Sequence, residues 1–142
     1  MTPASQGFKD LLLTHGFTFG TQADWSIFIG RKPDKPVRCI VIRDSGGKPP
    51  NPRWLLDYPS VQVTIRGGVS DYQDAYLKAQ EVKRYLLGLS NAVVNGDAWL
   101  SVLMPSDVSL LGFDQLNQPE FVMNFNLIVE PAQGSGDNRD PL

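Results

Sequence analysis

The run FVMNFNLIV at residues 121–129 constrains the fold more than any other feature of the chain. Phe121, Met123, Phe125, Leu127 and Val129 occupy every second position, with Asn124 and Asn126 between them. Strand side chains alternate between faces, so this run reads as a long strand with one apolar face in a core. VQVTIR at 61–66 repeats the pattern, setting Val61, Val63 and Ile65 against Gln62, Thr64 and Arg66. A sheet apolar on one face needs a covering layer. Residues 71–87 suit that task, because Ala75, Ala79, Val82 and Leu86 recur at helical spacing and Tyr72 extends the stripe. Ser70 stands at the N-cap position with Gln73 at the capping-box position, and Asp71 and Asp74 favour the positive helix start. Lys83 and Arg84 lie near the negative end, and Gly88 follows as the C′ residue.

The remaining signals are shorter. Residues 5–15 form a helix with Phe8, Leu11, Leu12 and His15 on one stripe and Gly16 as its stop. Strands are predicted at 24–29, 37–43 and 98–104, with a turn from Gly30 to Pro36 and another at Asn95-Gly96. Residues 44–60, with two glycines and four prolines, read as a long loop of the kind that often carries function. Residues 106–120 read as a loop or an irregular strand. The resulting expectation is an α+β fold: a single largely antiparallel, or mixed, sheet of about four to five strands, with two helices packed on one face. At 142 residues the chain is sized for one domain, taken as 1–130, and PAQGSGDNRDPL at 131–142 reads as a disordered tail. Gly and Pro make up 24 residues, which argues for turns and against a helical bundle.

Catalytic and metal chemistry finds little material. Cys39 is the sole cysteine, so there is no intrachain disulfide and no thiolate cluster, and His15 is the sole histidine. His15 sits on an apolar stripe and Cys39 within a strand, so both read as packed residues rather than as a nucleophile and its base. Gly46-Gly47-Lys48 lacks the spacing of a phosphate loop. Asp71 and Asp74 would repel an anion at the helix start after Gly67-Gly68. The chain is therefore expected to be no enzyme and to need no cofactor or metal. No apolar stretch is long enough for a membrane-spanning helix, and Met1 to Gln6 shows no secretory signal, so no membrane partner is expected.

Charge is uneven. Residues 31–53 hold seven basic side chains (Arg31, Lys32, Lys35, Arg38, Arg43, Lys48 and Arg53) against Asp34 and Asp44, a balance of +5. Residues 54–142 hold eleven acids against five bases, a balance of -6. One reading is a nucleic-acid-binding module using 31–53. The other is self-association of basic face on acidic face, which the low pI of about 5.2 favours. Within the loop, Pro49, Pro50 and Pro52 stiffen a segment that carries Arg53 and Trp54, typical interface anchors. Trp54, Leu55 and Leu56 fit equally well as part of the chain's own core.

The loop RDSGGKPPNPRW, the strand YPSVQVTIRG and the helix DYQDAYLKAQEVKRYLLG follow one another over residues 40–88. In combination they resemble the tail terminator (minor capsid) proteins of long-tailed bacteriophages. The resemblance implies a small α+β structural protein of the virion, without cofactor or catalytic residue. It implies a homohexameric ring, assembled in the host cytoplasm, at the head-proximal end of the tail. Such a ring stops polymerisation of the tail tube (major tail) protein and offers a surface to the head–tail connector, while DNA passes through its lumen without specific binding. Matching the loop marks Arg43, Lys48, Pro50, Asn51, Pro52, Arg53 and Trp54 as candidate protein-interface residues. A head-completion or neck protein is the alternative within the virion.

Overall fold

The computed structural model describes residues 3–20, 23–51 and 56–130. It runs through α1 (Ala4–Leu13), β1 (Ser26–Ile29), β2 (Cys39–Asp44), β3 (Lys48–Asn51), β4 (Leu56–Tyr58) and β5 (Ser60–Arg66). It continues through α2 (Tyr72–Leu86), β6 (Ser90–Val94), β7 (Asp97–Leu103), β8 (Ser109–Phe113) and β9 (Pro119–Glu130). The expected tail at 131–142 lies outside the described residues.

The alternating run becomes the central strand of a curled mixed sheet. On one side β9 pairs with β5 from Arg66↔Glu120 to Ser60↔Asn126, and β4 continues the same register at Asp57↔Val129. On the other side β9 pairs with β8 along its first half and with β7 along its second, and β6 pairs outside β7. Beyond β5 come β2, antiparallel, and β1, parallel to β2. The odd positions of β9 meet Val61, Val63 and Ile65 on one face, and all are buried. Each such side chain contributes roughly 1.5–3 kcal/mol relative to exposure.

Both helices cover that face. Phe8 of α1 is fully buried, with its ring 5.2 Å from Phe125 and 5.5 Å from Trp99. Ala75, Ala79, Val82 and Leu86 of α2 are all fully buried, as the spacing predicts, and Tyr72 and Tyr76 set their rings against Phe121. Gly88 has φ +86 and ends α2 as expected. The start of α2 differs from expectation: Asp71 is the N-cap residue, no side chain caps it, and Ser70 has φ +73. The carboxylate of Asp71 instead accepts from Arg38 and from the Gly68 N–H.

Among the described residues the strand count needs correction, from four or five to nine. The five predicted strands are β1, β2, β5, β7 and β9; β3, β4, β6 and β8 were not counted among them. Pro49 and Pro50 disguise β3, because proline cannot donate to a ladder and suits an edge position. β4 has three residues, too few for a visible alternation. β6 and β7 form a hairpin closed by Asn95 and Gly96, both at positive φ, which is the turn geometry matched to strand twist.

Residues 30–38 are also more than a turn. Because β1 and β2 are parallel, this link returns along the sheet, and the Arg66 side chain holds it there. Arg66 donates from Nε to the Val37 carbonyl at 2.7 Å, and from Nη2 to Pro33 at 2.7 Å, Pro36 at 2.9 Å and Asp34 at 3.3 Å. A buried guanidinium needs its donors satisfied, and a bent backbone supplies several carbonyls at one point. Lys32 reaches Glu120, the cross-strand neighbour of Arg66, at 2.5 Å.

Candidate functional site

The long segment 44–60 is the place to look for function, and it is not a structureless loop. β2 and β3 on one side, and β4 and β5 on the other, form one continuous two-stranded ribbon. Asp44↔Val61 and Lys48↔Tyr58 are successive parts of that ladder, joined by a Ser45 N–H to Ser60 carbonyl bond of 2.8 Å. Across the break between β4 and β5, the Leu127 N–H still bonds the Pro59 carbonyl at 2.9 Å. The offset between the two halves of the ribbon is absorbed at Gly46-Gly47. Gly47 has φ +95, and a Cβ placed on it would collide with the Tyr58 carbonyl oxygen. Only glycine permits that approach, so the bulge is written into the sequence. The result is an arm that extends the sheet in β3 and β4.

The candidate interface residues distribute along this ribbon. Arg43 lies in β2, half-buried, and donates from Nε to the Gly30 carbonyl at 3.1 Å. Lys48 opens β3 and is exposed, opposite Tyr58. Pro50 and Asn51 belong to the β3 backbone. Pro52, Arg53 and Trp54 lie outside the described residues. The structure thus separates Arg43 in the sheet from Lys48 on the arm.

Beside the arm lies a groove that the sequence reading missed. Its volume is about 550 Å³, and Lys48, Pro49, Tyr58, Leu103, Met104 and Ile128 are among its lining residues. These residues come from β3, β4, β7 and β9 and the stretch after β7, so no local pattern reveals the groove. Leu103, 56% exposed, is a large apolar side chain on its wall.

The basic segment is partly neutralised by its own fold. Arg38 donates to Asp71 at 2.7 Å and lies over the Trp25 ring at 5.8 Å, while Lys32 is held by Glu120. The Arg38 guanidinium holds the Asp71 carboxyl below the usual carboxylate range. Arg31, Lys35 and Lys48 stay exposed, without an ion pair among the described residues. The Cys39 thiol is fully buried, and that burial pushes its pKa up, against thiolate formation. The His15 ring stacks on Tyr85 at 4.0 Å, nearly parallel.

A family model described as bacteriophage tail terminator protein matches residues 15–131. This chain belongs to the bacteriophage tail terminator family. The match runs from the end of α1 through β9 and so takes in the arm, the groove and the whole sheet. The family is structural rather than enzymatic, and a tail terminator works with other components of the phage tail. No curated protein matches the chain. Among the described residues of this tail terminator, no helix is long and apolar enough to cross a membrane.

Proposed function

We propose that this chain caps the phage tail tube as a homohexameric ring at the head-proximal end. On this reading the ring ends polymerisation of the tube protein and gives the head–tail connector its docking surface, and DNA travels through the lumen. The observation that carries the proposal is the family match over residues 15–131. The arm supports it physically. A two-stranded ribbon extends the sheet and presents Lys48 to solvent, and its stiff proline-rich backbone loses little entropy on docking. We assign the docking contact to Arg43, Lys48, Pro50, Asn51, Pro52, Arg53 and Trp54, of which Arg43 lies in β2 and Lys48 on the arm.

Disrupting the gene in the source phage and imaging the lysate by electron microscopy tests this. Tails of uncontrolled length that join no filled heads are expected. Tails of normal length that fail to join heads would move the assignment to a neck or head-completion role. Intact infectious particles would sink both.

A further inference from the structure

The groove beside the arm lies on the face of the sheet turned away from the helices. Val102 and Leu127 are buried in the core, so Leu103, Asn126 and Ile128 next to them point the other way. Leu103, Asn126 and Ser60 form one cross-strand row, and Ile128 follows two residues along β9. The arm contributes Lys48, Pro49 and Tyr58 to the lining, and the stretch after β7 contributes Met104 and Pro105.

The polar groups of this largely apolar groove share one character. The Oδ1 atom of Asn126 accepts from the Ser60 hydroxyl at 2.8 Å, which leaves the Asn126 amide N–H groups to donate. Lys48 is exposed and has no ion pair among the described residues. Two carbonyls at the floor are already used, Pro59 by the Leu127 N–H and Ser60 by the Ser45 N–H. Among the described residues no Asp or Glu lines the groove, so Lys48 is its one charged side chain. A surface that offers a cation and free donors, and holds no acid, suits a carboxylate. Its apolar walls, with the adaptable Met104 among them, suit a bulky side chain beside that carboxylate. Pro49 and Pro50 have no N–H to donate, so β3 makes a poor template for an added strand, and recognition falls to side chains.

We propose that the groove holds a segment of the tail protein to which this chain docks. An Asp or Glu of that segment meets Lys48 and the Asn126 amide, and a bulky apolar side chain next to it lies on Leu103, Met104 and Ile128. This names the partner's chemistry at the arm and rests on the docking reading above. A basic segment would set its cation against Lys48. Nucleic acid would bring phosphates to Lys48 but no aliphatic side chain to cover Leu103.

Tails made by the gene-disrupted phage lack this chain and supply the partner. The purified full chain is bound to them, treated with a water-soluble carbodiimide and digested for mass spectrometry. The reagent activates a carboxyl group, and an amine in contact with it displaces the reagent to form an amide. Lys48 should be found joined to an Asp or Glu of a tail protein, beside a bulky apolar residue. Lys48→Glu and Leu103→Glu should each weaken cosedimentation with the tails about tenfold or more, by setting acid against acid. Lys48→Arg should keep the binding and lose the crosslink, because the charge remains and the reactive amine does not. Both positions are exposed, and unchanged melting curves check that the variants fold. Lys48 left unlinked on bound chains overturns the proposal, and so does Lys48 linked to a second copy or to its own chain. Glu variants that cosediment like the wild type overturn it too, as does a wild type that binds no tails. Overlong tails that join no heads would leave the terminator assignment standing in each of those cases.

Discussion

Asp71 shows how one residue can hold two elements together. Its carboxylate accepts from Arg38 at the start of β2 and from the Gly68 backbone ahead of α2, fixing the helix entry to the sheet. Ser70 looks like the better cap in the sequence, yet it takes φ +73 and the charge-assisted bond wins. Because the Arg38 hydrogen bond lowers the Asp71 pKa in the folded chain, its contribution is present above the ordinary carboxylate range. It is lost as pH falls through the folded value. The pair is near the surface, so its worth is at most about 1 kcal/mol. Asp71→Asn should lower the melting temperature at neutral pH, and the gap to wild type should close at a pH below the lowered folded value. A gap that stays constant down to that pH would mean that the ion pair is not its cause.

At the scale of elements, the ribbon depends on a single backbone feature. Gly47→Ala puts a methyl group against the Tyr58 carbonyl at a positive φ, so the bulge must open and the arm must shift. A loss of about 1–3 kcal/mol is expected. Proteolysis should then cut the arm first, and equal protease resistance would show that the bulge is not needed. The legible parts of the sequence were those whose pattern is local. Residues 61–66 and 121–129 announced their buried faces by alternation, and 71–87 announced its stripe. What stayed hidden depends on partners far along the chain. β3 and β4 are strands because each has the other, not because KPPN favours extension. Arg66 reads as the solvent side of a strand, but the returning link buries it under four carbonyl contacts. Likewise, the proline-rich segment pointed to the arm, but the groove beside it draws on β3, β4, β7 and β9 and had no signature.

At the scale of the molecule, the family match begins after α1, yet the core does not. Phe8 and Leu12 are fully buried and contribute roughly 1.5–3 kcal/mol each. Total stability for a domain is only about 5–15 kcal/mol, so a chain cut to residues 15–131 should lose cooperative thermal unfolding. A sharp transition at the full-chain temperature would show that α1 is dispensable. The position of β9 has a consequence during synthesis. This strand sits in the middle of the sheet, touching β4, β5, β7 and β8, yet it is the last described element to leave the ribosome. Until it emerges, the β1–β2–β5 group and the β6–β7 hairpin have no strand to join them, and their apolar faces lack part of their cover. A nascent chain stalled before residue 119 lacks the strand that joins the two halves of the sheet, so the sheet is complete only once β9 has been made.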